Sequence, residues 1–169
     1  KIWTNSRVFF TFDSNVTADN RNRFNAAAAE WSDVTNIVFQ QRTNEANYIH
    51  VQDGNNNSSF VGMIGGRQDL TITSWNSRFI IAHEIAHSLG MVHEHTRGDR
   101  DTYVQINGAN IQQGQEHNFA ILSTSNYTRY DFASIMHYSA TAFSSNQLTT
   151  IDPQPDFQLY PVQPELSAD

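Results

Sequence analysis

The chain has 169 residues, enough for one domain with a buried core, and its lack of cysteine excludes disulfides and thiolate metal sites. A formal net charge of −7 disfavours nucleic acid and anionic membrane surfaces as partners, and no apolar run is long enough to span a bilayer. The opening Lys1-Ile2-Trp3 leads almost directly into an apolar run, as expected of a processed chain without a signal peptide.

Arg7-Val8-Phe9-Phe10-Thr11-Phe12 is rich in β-branched and aromatic residues and predicts a first strand. Thr17 is a candidate cap for a helix over 17–32, with Phe24, Ala27, Ala28 and Trp31 spaced as one apolar face. Short strands are predicted at 37–40 and 48–51, a loop at 53–57, and further strands at 60–63 and 70–73. A second helix is predicted from Arg78 to Leu89. Beyond Gly90 the chain is polar and weakly patterned, which predicts long irregular segments with one helix near 112–122. The tail after Ile151 carries all four prolines and is predicted as loop. No internal repeat or linker suggests a second domain.

The second helix carries the chemistry. His83-Glu84-Ile85-Ala86-His87-Ser88-Leu89-Gly90-Met91-Val92-His93-Glu94 reads H-E-x-x-H-x-x-G-x-x-H-E. Residues four apart share a helix face, so His83 and His87 can point at one metal. Gly90 can end the helix in the left-handed conformation that only glycine adopts without steric cost, and the turn brings His93 in as third ligand. Zinc held by three neutral imidazoles keeps its charge and one open position, which lowers the pKa of a water there to roughly 7. Glu84, one position along from His83, can take the proton of that water without ligating the metal. The pattern arises by chance on the order of once in a hundred thousand chains of this length and composition, so histidines that merely cap or pack are a poor explanation. His50, His95, His117 and His137 have no partner at ligand spacing and read as hydrogen-bonded or exposed side chains.

The extended motif resembles the metzincin zinc-protease signature, and Glu94 with the run to Asp101 is similar to the astacin branch. Ser134-Ile135-Met136-His137-Tyr138 resembles the astacin Met-turn, and Ser59-Phe60-Val61-Gly62 with Gly65-Gly66 and Gln68 resembles the segment ahead of the metal-binding helix. The resemblance implies that Tyr138 ligates the resting zinc and then swings away to hydrogen-bond the transition state. It implies that Met136 floors the three imidazoles and that Ser58, Ser59 and Phe60 line the edge where an extended substrate pairs. It assigns Glu94 a contact with a freed N-terminus, although Lys1 lies so close to the first strand that little chain is available to reach it; a second role is to orient the neighbouring site. Astacins carry disulfides, one using a cysteine near the position of Asn57, so here the cleft rim and termini are expected to be held by packing alone. Leu166-Ser167-Ala168-Asp169 resembles the lead-in to the family's C-terminal helix.

Together these readings imply an α+β, metzincin-like fold forming a single peptidase domain over 1–169. An N-terminal lobe of about 1–90, with a twisted mixed sheet and two long helices, and a largely irregular C-terminal lobe of about 91–169 are expected to flank an active-site cleft. The expected function is a secreted, monomeric zinc endopeptidase made as a zymogen, with one Zn(2+) per chain. Protein or peptide substrates and a pro-segment or protein inhibitor are its expected partners, and nucleic acid and a membrane span are excluded. The alternatives are an inactive zinc-stabilised binding module on the same fold, and a different metzincin or another zinc hydrolase acting on non-peptide amides. Glu84 beside an open zinc position argues against the first; Tyr138 and Glu94 argue against the second.

Overall fold

The computed structural model describes residues 1–124 and 128–157. The chain divides into two compact units, Lys1–Met91 and Val92–Asp169. Leu166-Ser167-Ala168-Asp169 and the tail beyond 157 lie outside the described residues.

The first unit is built from regular elements in the order β1 (Arg7–Phe12), α1 (Ala18–Val34), β2 (Val38–Gln41), β3 (Tyr48–Asp53), β4 (Ser58–Ser59), β5 (Arg67–Ile72) and α2 (Arg78–Leu89). Its strands form a five-stranded mixed sheet in the order β2-β1-β3-β5-β4. Only β4 runs antiparallel, paired with β5 as Ser58 with Thr71 and Ser59 with Leu70. Period-two burial places Val8 and Phe10 of β1 in the core, where they join Ile49, Val51, Leu70 and Ile72 from the inner strands. α1 begins where the Thr17 hydroxyl accepts the Asn20 N–H, and it buries Phe24, Ala27, Ala28 and Trp31. Phe24 packs its ring 5.2 Å from Phe10 and 5.5 Å from Phe12. The Trp31 indole donates to the Ala82 carbonyl at 3.1 Å, fixing α1 against α2. Each large side chain buried here stabilises the fold by roughly 1.5–3 kcal/mol before the entropy of ordering is set against it.

The expected strand at 60–63 does not form. β4 stops at Ser59 because the chain turns at Gly62, whose φ is +68° and whose missing Cβ would meet the Lys1 carbonyl oxygen at 2.7 Å. Gln68, 1% exposed, holds that turn: its amide donates to the Gly62 carbonyl, and its Oε1 accepts the Ile64 N–H.

The second unit contains little regular structure among its described residues. β6 (Val104–Ile106) and β7 (Ile151–Pro153) pair antiparallel, and short 3-10 turns provide most of the rest. Two expectations are corrected here. No α-helix forms over 112–122, where Gly114 takes φ +87° and only a 3-10 turn follows at Glu116–Phe119; the Gln112 N–H is drawn away to Phe143 O. The strand β7 runs on to Pro153, so the expected loop begins at Gln154 and not after Ile151; Pro153 ends β7 where a missing ladder donor is tolerated. Val104, Ile111, Phe119, Tyr130 and Ile151 form the core, with Tyr103, Ile106, Phe132 and Tyr138 packed against it.

Candidate metal centre and its surroundings

α2 begins at Ser77, whose hydroxyl accepts the Ile80 N–H, and ends at Gly90, which takes φ 114° and returns its N–H to the Ala86 and His87 carbonyls. Ile81, Ala82, Ile85 and Ala86 are buried in the core of the first unit. The rings of His83 and His87, one turn apart, stand edge to face at 4.7 Å. His87 Nδ1 lies 2.9 Å from the Met91 carbonyl, which can only accept, so this nitrogen carries the proton and Nε2 keeps its lone pair for a metal. Burial lowers the pKa of His87 and keeps it neutral, the state a ligand needs.

Glu84 is 5% exposed, and burial pushes its carboxyl up to about 7. Its Oε2 has no hydrogen-bond partner among the described residues. A buried carboxylate oxygen without a donor is costly in an ordinary core and suits a group that must handle a proton.

The helix end is fastened by its neighbours. The Gly62 N–H donates to His87 O at 2.8 Å, and the Trp3 indole donates to Ser88 O at 2.7 Å. The glycine segment ahead of the helix thus closes on the last turn of α2. β4 lies at the sheet margin with Ser58 exposed, and the adjoining Phe60 is 49% exposed. Asn57 just before it accepts the Thr73 and Ser74 N–H groups and donates to the Ser74 hydroxyl. This side chain supplies the fastening that packing alone was expected to give.

In the second unit the His93 carbonyl accepts from the Thr96 N–H at 3.0 Å and the Thr96 hydroxyl at 2.6 Å, which fixes the turn behind its ring. Glu94 Oε1 accepts from Arg97 at 2.8 Å and from the Asp131 N–H at 2.9 Å, while the Glu94 N–H donates to Met136 O. Burial raises the Glu94 pKa, opposed by the Asp131 N–H and by Arg97. Glu94 therefore ties the chain after His93 to the segment that carries Met136, which is 2% exposed. The Tyr138 ring lies 4.5 Å from His93 and stacks on His95 at 4.0 Å and 30°.

Among the described residues, one set of metal-ligating groups stands out: His83, His87 and His93 each offer a nitrogen, all within 4.8 Å of one another. Three imidazoles, one with its tautomer set by a carbonyl, beside a buried carboxylate with an unpartnered oxygen, are a donor set that fits zinc.

All four remaining histidines are hydrogen-bonded: His50 to Asp13, His95 to Asn118 O, His117 to Gly114 O and His137 to Tyr130 and Tyr138 O. Sequence reasoning missed the bridging role of Gln68 and the whole of Tyr130. It gave His95 and His137 no part in the site, because neither stands at ligand spacing. The adjacency of His137 to Tyr138 was the one available signal.

The sequence model for the Astacin peptidase family matches residues 1–160. Zinc metalloproteinase nas-13 of Caenorhabditis elegans is 35% identical over 157 residues, a match covering 89% of this chain and 35% of the relative. The low choriolytic enzyme of Oryzias latipes is 36% identical over 153 residues, covering 89% of this chain and 56% of the relative. The chain thus spans between a third and somewhat over half of these relatives. Among solved structures, the high choriolytic enzyme 1 of Oryzias latipes (Medaka fish), a hatching enzyme zinc-protease, superposes with a TM-score of 0.90 at 35% identity, covering 99% of this chain and 87% of that one. The α+β arrangement of two helices and a mixed sheet is that enzyme's fold, and the chain belongs to the astacin family of peptidases.

Proposed function

We propose that this chain is a zinc-dependent endopeptidase acting on protein or peptide substrates, with residues 1–169 forming a single catalytic domain. The observation that carries the reading is the set of three histidine nitrogens within 4.8 Å in a chain whose Glu84 is buried with an unpartnered oxygen. His83, His87 and His93 hold the metal, and Tyr138, its ring beside His93, is a further ligand at rest. Zinc held by these residues would supply a hydroxide near neutral pH and polarisation of a peptide carbonyl.

The protein's own groups do the rest. Glu84 is the general base that accepts a proton from the attacking water and the acid that returns it to the leaving amine. Tyr138 donates its phenolic hydrogen to the oxyanion that develops on the carbonyl. Met136 floors the imidazoles, Gly90 provides the turn between second and third ligand, and Glu94 holds the strand of chain behind His93. Ser58, Ser59 and Phe60 receive the substrate in extended form, since the outer side of β4 offers main-chain groups to a pairing strand. Secretion, synthesis as a zymogen and action as a monomer complete the reading. It is supported by relatives named as zinc metalloproteinase and choriolytic enzyme. Among the described residues no helix is long and apolar enough to cross a membrane.

Digestion of casein by wild type and Glu84→Ala, each with and without a zinc chelator, tests the proposal. Wild-type activity that disappears on chelation and returns with zinc, with kcat about 10²–10⁴ lower in Glu84→Ala, is expected. Equal activity in the variant would overturn the role of Glu84. Inactivity of wild type with one zinc per chain would favour a binding module instead.

A further inference from the structure

Tyr138 follows directly on a histidine that the proposed reaction does not use. His137 is 4% exposed, and both of its ring nitrogens are engaged. Nδ1 lies 2.7 Å from the main-chain oxygen of Tyr138. A carbonyl only accepts, so Nδ1 carries a proton. Nε2 lies 2.7 Å from the Tyr130 hydroxyl. With neutral partners on both sides, a buried ring is held as the neutral form, and Nε2 becomes the acceptor of the phenol's hydrogen.

Tyr130 is itself immobilised. It is 7% exposed, stacks on Tyr103 at 4.6 Å and 14°, and meets Phe132 edge-on at 5.0 Å. Its hydroxyl therefore has a fixed position, which sets the tilt of His137, while the Tyr138 carbonyl sets the tautomer. His137 in turn grips the carbonyl of the next residue.

We infer that His137 is a positioning residue for Tyr138, its ring held in place by the Tyr130 hydroxyl and its Nδ1–H holding the main chain from which the Tyr138 side chain projects. This rests on the role proposed above for Tyr138. A phenol that ligates at rest and donates to an oxyanion later must exchange places by side-chain rotation. That requires a main chain that stays still, since misplacement by about 1 Å can cost on the order of 100-fold in rate. His95 supports the ring face, and His137 fixes the pivot.

Two substitutions separate gripping from filling space. The amide nitrogen of an asparagine at this position falls near the place of Nδ1, whereas that of a glutamine falls near Nε2. Packing alone favours glutamine, which is closer to histidine in volume; the grip on the Tyr138 carbonyl favours asparagine. On peptide hydrolysis by the zinc-loaded full chain, His137→Gln should lower kcat by about 10–100-fold with KM within about twofold. His137→Asn should stay within about threefold of wild type, and Tyr130→Phe, which removes one hydroxyl and keeps the stack, should lie between the two.

Nitrogen-15 NMR of the zinc-loaded chain provides a readout independent of turnover. It should show His137 as the Nδ1–H tautomer in wild type, and in Tyr130→Phe a shifted Nε2 signal, since that nitrogen loses the phenol's hydrogen bond. An Nε2–H ring in wild type, or a glutamine variant as active as the asparagine variant, would overturn the inference. Tyr138→Phe distinguishes the two levels: unchanged kcat there removes the role of Tyr138 and this inference with it. A large loss there, with glutamine equal to asparagine, removes only the part given to His137.

Discussion

The two units solve the same problem by different chemistry. Every buried main-chain N–H and C=O needs a partner. In Lys1–Met91 the partners are mostly other main-chain groups, in the ladders of the five-stranded sheet and in two helices. In Val92–Asp169 the described chain is largely irregular: turns and a two-stranded ladder pair part of its main chain, and side chains reach many of the remaining carbonyls. Arg97 donates to the Thr128 and Arg129 carbonyls while pairing with Glu94 and Asp99. Arg100 donates to the carbonyls of His95 and Phe119. Thr150 and Asn110 reach the carbonyls of Ala140, Ala142 and Thr149. A unit built on ladders depends on apolar volume; irregular chain tied by arginine forks depends on donor geometry as well as on its apolar cluster. The first should tolerate changes of shape, and the second should not tolerate loss of one charged plane.

Two truncations put that difference at risk. Phe24→Ala, in the fully buried contact of α1 with β1, should cost about 3–5 kcal/mol in denaturant unfolding, while Phe24→Leu should cost about 1 kcal/mol. Arg97→Ala should be comparably severe, about 3–5 kcal/mol, because it strands the partly buried Glu94 and two carbonyls. The contrast lies in the conservative changes. Arg97→Lys should recover little, since an ammonium cannot present the planar fork that serves Glu94, Asp99 and both carbonyls together. A lysine variant as stable as wild type would show that the second unit does not depend on donor geometry.

This contrast also explains what could be read from the sequence. β1, α1 and α2 announce themselves through composition, period and caps, and α2 runs over the predicted residues Arg78 to Leu89. The His83, His87 and His93 grouping is legible because helix geometry and one glycine determine it. In the second unit nothing periodic marks Arg97 or Arg100 as carbonyl donors, and Gln112 to Leu122 resembles a polar helix only until Gly114 and the bond to Phe143 intervene. The failed strand at 60–63 has the same origin. Phe60-Val61 looks apolar enough for a strand, yet the chain is turned by Gly62 and the distant Gln68. Side chains that bind main chain carry no pattern.

The first unit borrows the second unit's chemistry at Asn57 as well as at Gln68. Asn57 ties the approach to β4 to Thr73 and Ser74 through three hydrogen bonds. Asn57→Ala should cost about 1–3 kcal/mol by leaving two N–H groups without an acceptor. Asn57→Asp keeps the acceptor, and the Ser74 hydroxyl can rotate to donate, so it should stay within about 0.5 kcal/mol of wild type. Equal losses in both variants would mean that Asn57 acts by packing.

The smallest expected effect concerns how α2 starts. The Ser77 hydroxyl accepts the Ile80 N–H at 3.3 Å, one of four N–H groups that a helix leaves without internal partners. Ser77→Ala should cost about 1 kcal/mol, and Ser77→Asp should restore or exceed wild-type stability because a carboxylate also complements the positive end of the helix dipole. The far end of α2 is held independently by Gly90, Gly62 and Trp3, so His83 and His87 should keep their spacing while the first turn frays. Unfolding measurements on Ser77→Ala should therefore report the loss while zinc affinity stays within about twofold of wild type. A parallel fall in zinc affinity would mean that the histidine pair depends on the cap as well as on the fastened C-terminal turn.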